Sequence, residues 1–220
     1  LLIVQEVANV GIFYGGLGGL VALTLGVALF GLVDDMLGAA GPRGVRGHAR
    51  VLARGRPTTG ALKAIAVPGL ALVVARALPI GFSTGEWLLA AAVLVAAVHV
   101  FNLLDLRPGR TFKALLLLGA ALAVGSRESR PLFAVGLFAG PALVAGFCDL
   151  REGALLGDTG AGVFGALAGV WLVLTLSTTG QAVALALLLA IALYGELRSI
   201  SAVIERTPGL RQLDSFGRPS

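Results

Sequence analysis

Residues 17–38 read LGGLVALTLGVALFGLVDDMLG, an apolar run that ends in two adjacent aspartates. A run of about 18 or more apolar residues is long enough to cross the hydrocarbon core of a bilayer as a helix. Similar runs recur along the chain, which is 57% apolar and only 13% charged. A soluble domain of this length could not bury so many apolar residues in its core. We therefore predict an all-α fold, a polytopic bundle of transmembrane helices.

The apolar runs predict about seven full spans and a partial one at the N-terminus. The chain begins inside an apolar run without an initiator Met, so we expect that an upstream portion is absent. Residues 1–220 are assigned to a single integral membrane domain. The predicted spans cover residues 1–13 (the partial span), 17–33, 62–81, 87–104, 113–125, 131–147, 159–177 and 181–198.

The distribution of Lys and Arg predicts the orientation of these spans. If the spans alternate, the loops 34–61, 105–112 and 148–158 and the tail 199–220 share one side. That side holds 14 of the 17 Lys and Arg residues, and the other side holds 3. Basic residues favour the cytosolic side of a membrane, so these segments are predicted to be cytosolic. The same side receives all six aspartates, namely Asp34, Asp35, Asp105, Asp149, Asp158 and Asp214.

The net charge of +5 belongs to these loops and not to a basic soluble domain, so nucleic acid is not an expected partner. Basic loops at a membrane surface suit anionic lipid or a phosphate substrate. Cys148 is the single cysteine and has no partner for an internal disulfide.

The first candidate motif is the pair Asp34-Asp35 at the end of an apolar run. A carboxylate left in lipid costs a few kcal/mol, so both groups must face water, a cation or a protein cavity. Acidic residues also oppose the C-terminal end of a helix dipole. The pair is either a solvated helix end or an acidic site that binds Mg²⁺ or activates a phosphate.

The second motif places His99, Asn102 and Asp105 at i, i+3 and i+6 near one face of a helix. Amide and carboxylate oxygens are ligands that suit Mg²⁺. The turn Arg107-Pro108-Gly109-Arg110 follows, and its two arginines are candidates for holding a phosphate. The alternative, which the motif alone supports equally well, is a polar helix end that is closed by a turn and has no ligand.

The third motif is Gly157-Asp158-Thr159-Gly160 before a Gly-rich apolar run. Such a turn presents backbone N–H groups, which favour anions, together with a carboxylate that can carry a metal ion. The alternative is an ordinary N-cap, because Asp and Thr are good caps. Lys63 begins another run and is a candidate for contact with a phosphate, whereas most of the basic residues between Arg43 and Lys63 are explained by membrane topology.

In this order, the motifs resemble those of the polyprenyl-phosphate N-acetylhexosamine-1-phosphate transferases, the family of the phospho-MurNAc-pentapeptide translocase and the GlcNAc-1-phosphate transferases. The resemblance extends from about Gly16 to Ser201. It implies a reaction in which a polyprenyl phosphate attacks a UDP-sugar, releasing UMP and forming a polyprenyl-diphospho-sugar for cell-envelope glycans. It also implies Mg²⁺ as cofactor, with Mn²⁺ as the alternative ion, an active site on the cytosolic face of a bacterial or archaeal plasma membrane, and a homodimer.

The resemblance also implies roles for individual residues. Asp158 and Asn102 would be metal ligands, Asp34 and Asp35 would position or deprotonate the lipid phosphate, and Asp105 would support the metal site or the nucleotide. The expected substrate-binding residues are Lys63, His99, Arg107, Arg110, Thr159 and Gly160.

This chain departs from the family pattern in three ways. His99 stands where the family usually has a second Asn, Pro108 stands where it has a second Asp, and the late His-rich motif is missing. The expectation is therefore a divergent, N-terminally shortened member. The alternatives are a transporter or flippase for lipids or small molecules, or a catalytically altered member of the family.

Overall fold

The computed structural model describes residues 17–38, 58–78, 81–126 and 130–219, and at 17 and 130–134 it describes the backbone alone. Within these ranges the chain forms nine α-helices. They are α1 (Leu17–Leu37), α2 (Thr59–Ala77), α3 (Thr84–Leu104), α4 (Arg110–Ser126), α5 (Arg130–Leu150), α6 (Gly157–Thr175), α7 (Thr178–Leu197), α8 (Ile200–Arg206) and α9 (Pro208–Ser215).

Among the described residues, five helices are long and apolar enough to cross a membrane, namely α1, α2, α3, α6 and α7. The protein is therefore an all-α, multi-pass membrane bundle, as its composition predicted. The helix α4 has 17 residues and α5 has a shorter apolar segment, Val135–Leu150. At 1.5 Å per residue, α4 is about 26 Å long, slightly less than the thickness of a bilayer core.

The helix α6 lies at the centre of the bundle and packs closely against α3. Its side chains are buried on nearly every side, which is typical of a helix surrounded by others. A Cβ added at Gly165 would lie 2.6 Å from the Cα of Val98, and one at Gly169 would lie 3.1 Å from the Cα of Leu94. These glycines let the two backbones approach, because a larger residue at either position would force the helices apart.

Several predicted boundaries were wrong by a few residues, mostly at polar helix ends. Asp34 and Asp35 lie in the last turn of α1 and not in a loop, and α2 begins at Thr59. The loops predicted at 105–112 and 148–158 are shorter, because α4 begins at Arg110, α5 continues to Leu150 and α6 begins at Gly157. The tail predicted as a loop forms α8 and α9. Polar residues in a terminal turn find hydrogen-bond partners there, so hydropathy alone misplaces these ends.

The seven long helices run alternately up and down, so that the six aspartates gather at one end of the bundle. We call this end, which carries Asp34, Asp35, Asp105, Asp149, Asp158 and Asp214, the aspartate end. At this end, hydrogen bonds link residues that are far apart in the chain, such as Asp35 with Thr159 and Arg110 with Asp214. At the opposite end Glu86, in the first turn of α3, accepts a hydrogen bond from Thr178 at the start of α7. The predicted span 1–13 and the basic residues from Arg43 to Arg56 lie outside the described residues.

Candidate functional site

The carboxylate of Asp35 caps the N-terminus of α6 from the end of α1. The N–H of Asp158 donates to its Oδ1 at 2.9 Å, and the N–H of Thr159 donates to its Oδ2 at 3.0 Å. The hydroxyl of Thr159 also donates to Oδ2, at 2.7 Å. The first turn of a helix leaves its N–H groups without partners and favours a negative charge there. The anion held by the Gly157–Gly160 turn is therefore a side chain of the protein itself.

Two glycines allow this close approach of α1 to α6. A Cβ at Gly31 would lie 2.6 Å from the Cα of Thr159, so only a glycine fits where the two backbones meet. Gly157 has φ +60, a conformation that side chains with a Cβ rarely adopt, and a Cβ there would lie 2.9 Å from Asp35 Oδ2. Gly160, which the sequence analysis assigned to substrate binding, packs against the side chain of Leu156.

Asp34, Asp158 and Lys63 bring three helices together beside this cap. Lys63 Nζ on α2 lies 3.0 Å from Asp158 Oδ2, and its side chain is only 12% exposed. The carboxyl groups of Asp34 and Asp158 are near enough for a hydrogen bond to link them. Asp34 also accepts a hydrogen bond from the hydroxyl of Thr59. Two carboxylates this close need a cation or a shared proton between them, and Lys63 supplies one positive charge.

Asn102 contributes a polar atom without a hydrogen-bond partner. Its Oδ1 is buried and receives no hydrogen bond from the described part of the chain. A Cβ at Gly162 would lie 3.8 Å from this oxygen, so Asn102 faces α6 one turn beyond Asp158. Buried polar atoms are nearly always satisfied, and an exception near charged groups indicates a place for a ligand, ion or water. His99, one turn earlier on α3, is half-buried and within electrostatic range of Lys63 and Glu196.

Asp105 follows α3 directly and lies among the other carboxylates. Burial, together with the negative charges of Asp149, Asp158 and Asp35, raises the pKa of Asp105 from 3.8 to about 6. Burial disfavours the charged form of a carboxyl group, and like charges act in the same direction. Perturbed carboxyl groups of this kind cluster at functional sites, although structural networks produce them too.

Asp149 is a structural residue that the sequence analysis placed on this side but did not assign to the site. Its carboxylate is 1% exposed and accepts hydrogen bonds from the N–H of Gly109 at 2.7 Å and of Leu156 at 3.3 Å. It thereby joins the turn after α3 to the residue before α6. The cost of a carboxylate at the end of an apolar run was the available signal, but nothing local pointed to its partners.

Arg107 and Arg110, predicted to hold a phosphate, are engaged by the C-terminal tail. Arg110 is 6% exposed and donates to both oxygens of Asp214, at 2.8 and 3.3 Å, and to Ser201 at 3.1 Å. Arg107 pairs with Glu205 and lies 3.8 Å from Asp214 Oδ2. Arg110 thus has its guanidinium occupied, while the Arg107 side chain remains 40% exposed.

The tail is fixed by this carboxylate and by a neighbouring lysine. Burial opposes the ionisation of Asp214, but the hydrogen bonds and charges of Arg110, with Arg218 and Lys113, outweigh it and hold the pKa of Asp214 below its usual range. Lys113 Nζ donates to the carbonyl oxygens of Leu213, Asp214 and Phe216, at 3.0, 2.5 and 3.2 Å. A cation at the C-terminal end of α9 satisfies carbonyls that have no partner within the helix.

The donor set beside Asp158 suits a hard divalent cation that also binds a phosphate. Within the described residues there is no group of three or more His, Cys, Asp or Glu side chains arranged to hold a metal ion. Mg²⁺ does not require one, because it is usually bound by one or two carboxylates, waters and the substrate's phosphates. Asp34, Asp158 and the unsatisfied Asn102 Oδ1 provide oxygen donors of this type, with Lys63 now lying against Asp158.

Comparison with known proteins identified no relatives. No protein-family model matches the chain, and no curated protein or solved structure matches it either. The residues of all three sequence motifs meet at one end of the membrane bundle.

Proposed function

We propose that this protein transfers a sugar-1-phosphate from a UDP-sugar to a polyprenyl phosphate in the membrane. The observation that carries the proposal is the meeting of Asp34, Lys63 and Asp158 from three helices, beside the unsatisfied oxygen of Asn102. A reaction between two phosphate-bearing substrates needs positive charge and oxygen ligands at one place. A lipid substrate needs that place at the end of membrane helices.

In the proposed reaction, an oxygen of the lipid phosphate forms a bond to the sugar-linked phosphorus of the donor. The bond from that phosphorus to the bridging oxygen breaks, and UMP leaves with the electron pair. Catalysis of this kind depends mainly on positioning and on stabilisation of charge. Asp34 would orient the lipid phosphate and accept its proton, and Lys63 would exchange its contact with Asp158 for the donor's phosphate oxygens.

The remaining residues would shape the site. Asp158 and Asn102 would hold Mg²⁺ (or Mn²⁺), which would neutralise charge on the diphosphate when bound. Asp105 would face the nucleotide or the metal's waters, and Arg107, the more exposed of the two arginines, would exchange its ion pair with Glu205 for contact with the donor's phosphates. Asp35 would act by holding the first turn of α6, which carries Asp158 and Thr159, in place.

The test is release of UMP by the purified protein in detergent, with undecaprenyl phosphate, Mg²⁺ and a panel of UDP-sugars. We expect release that requires both the lipid and the metal ion and that names the sugar. Asp158→Asn should abolish it, because it removes a charged ligand and the partner of Lys63. Glu152→Gln is the matched control, since Glu152 is an exposed acid at the same end of the bundle.

Folded protein that releases no UMP with any donor would contradict the proposal. Release that persists in Asp158→Asn, at the rate of Glu152→Gln, would show that the chemistry occurs elsewhere. Lipid transport, the alternative from the sequence, would then be examined with a fluorescent phospholipid in the reconstituted protein.

A further inference from the structure

The outer surface of α8 and α9 has no unpaired acidic side chain among the described residues. The tail carries two acids, Glu205 and Asp214, and both are directed to the bundle, where they pair with Arg107 and Arg110. Arg198, Arg206 and Arg211 are exposed, and they make no ion pair within the part of the chain that the structure describes. The free face of the tail is therefore cationic.

Apolar side chains accompany these arginines. Leu210 and Leu213 on α9 are 43% and 40% exposed, Phe216 just after it is 75% exposed, and Val203 on α8 is 37% exposed. Leu210 and Leu213 are three residues apart and so share one side of the helix, whereas Gln212 lies on the polar side. Apolar residues on one side of a helix, with arginine on the polar side, are the pattern of a helix that lies in a membrane interface.

The position of the tail supplies the reason for this pattern. Only Arg198 and Ser199 separate α7, a helix able to cross the membrane, from the start of α8. Lys113 on α4 and the ion pair between Arg110 and Asp214 then hold α9 against the same end of the bundle. The tail is thus held within a few residues of the level at which α7 meets the headgroups.

From this arrangement we infer that α8 and α9 rest on the membrane surface and bind anionic lipid headgroups, with Leu210, Leu213 and Phe216 inserted among the acyl chains. The arginines complement the negative charge of the headgroups, and the apolar side chains allow the helix to insert below the headgroups. This surface is independent of the carboxylates at Asp34 and Asp158, so it stands whether or not the protein is a transferase.

The experiment uses the whole protein reconstituted in vesicles, with one fluorescent bimane label. Cys148→Ala removes the single native cysteine, and Phe216→Cys or Gln212→Cys provides the labelling position. Vesicles of phosphatidylcholine, with or without phosphatidylglycerol, contain lipids that carry a nitroxide quencher on the acyl chain. Iodide serves as the quencher in water. Unchanged thermal stability and elution as a single species show that each variant is folded.

We expect the label at 216 to be quenched by the lipid nitroxide and protected from iodide, and the label at 212 to behave in the opposite way. Quenching at 216 should increase with phosphatidylglycerol. It should weaken in Arg206→Gln/Arg211→Gln, because each arginine at an anionic surface changes the docking equilibrium roughly fivefold.

Iodide reaching both positions equally would overturn the inference, because the tail would then be in water. Equal lipid quenching at 216 with and without phosphatidylglycerol would overturn the assignment of anionic lipid. Protection of 216 from both quenchers would also contradict it, since that result means that protein, such as a second copy of the chain, covers the surface.

Discussion

At the scale of single residues, the two adjacent aspartates have different surroundings. Asp35 is committed to three donors at the start of α6, whereas Asp34 faces Thr59 and the carboxyl group of Asp158. Loss of a helix cap lowers the stability of the fold, whereas loss of a group that accepts the substrate's proton lowers the rate of the reaction. The sequence treats the pair as one motif, but the contacts separate their roles.

We therefore expect Asp35→Ala to lower the free energy of unfolding by about 0.5–2 kcal/mol, the range found when a helix loses its cap. Asp35→Asn keeps one oxygen acceptor and should lose less. Asp34→Asn should leave the midpoint of thermal unfolding nearly unchanged while removing most of the proposed activity. A stable but inactive Asp35→Asn protein would show instead that Asp35 takes part in the reaction.

The raised pKa of Asp105 predicts a pH dependence with a definite sign. Its carboxyl group has a pKa of about 6 in the folded protein and an ordinary value of 3.8. The folded state therefore binds this proton more tightly than the unfolded state does. The resulting stabilisation is fully present below pH 3.8 and is lost as the pH rises through about 6. Asn cannot ionise, so Asp105→Asn removes the cost of the charged form.

Thermal unfolding in detergent at two pH values tests this prediction. Asp105→Asn should raise the midpoint relative to wild type at pH 7.5, and should raise it less, or not at all, at pH 5. The same change in midpoint at both pH values would be inconsistent with a carboxyl group that titrates near pH 6.

At the scale of elements, the packing of α3 against α6 determines where Asn102 and Asp158 lie. Glycine pairs with the G-x-x-x-G spacing occur at Gly136/Gly140 and Gly165/Gly169, but only the second pair faces another backbone among the described residues. A Cβ at Gly136 or Gly140 has no neighbour within 4 Å. The same spacing thus marks a helix contact in one case and an open face in the other.

Gly165→Ala should destabilise the bundle by about 1–3 kcal/mol, the usual cost of overpacking a close contact. Its Cβ would meet Val98 Cα at 2.6 Å and the Ala97 carbonyl oxygen at 2.9 Å, and backbone atoms cannot rotate away. Gly136→Ala is the matched control and should be neutral or slightly stabilising, since Ala favours helix. Equal unfolding midpoints for the two variants would refute the close contact between α3 and α6.

At the scale of the whole molecule, the alternation of the long helices separates the loops into two groups. Most of the Lys and Arg residues that the structure describes lie at the aspartate end, which predicts that this end faces the cytosol. Ordinary membrane helices leave short polar turns at each surface, so labelling can report the side of each turn directly.

In a Cys148→Ala background, Gly153→Cys marks the aspartate end and Thr179→Cys marks the opposite end. Both positions are exposed. A membrane-impermeant maleimide should label position 179 in intact cells and position 153 only after the membrane is opened. The reverse pattern would place the aspartate end outside, where UDP-sugars are not supplied, and would count against the proposed function as well.

Much of this architecture can be predicted from the local sequence. The length of each apolar run specifies a helix able to cross the membrane, and the number of runs between two loops specifies whether those loops share an end. The prediction that all six aspartates lie at one end was therefore correct without any knowledge of packing. Hydropathy averages over several residues, however, so it misplaced helix ends such as those at Asp34 and Arg110, and it missed α8 and α9.

Only the tertiary structure decided which polar groups meet. Asp35 caps a helix that begins more than a hundred residues later, and Arg110 pairs with a tail residue, Asp214, 104 positions away. Such pairs depend on the angles and distances at which helices pack, and no local pattern encodes them. The sequence by itself determined a membrane bundle with its carboxylates at one end. The packing decided that Asp35 and Arg110 hold the structure together, and that Asp34, Lys63, Asn102 and Asp158 form the candidate site.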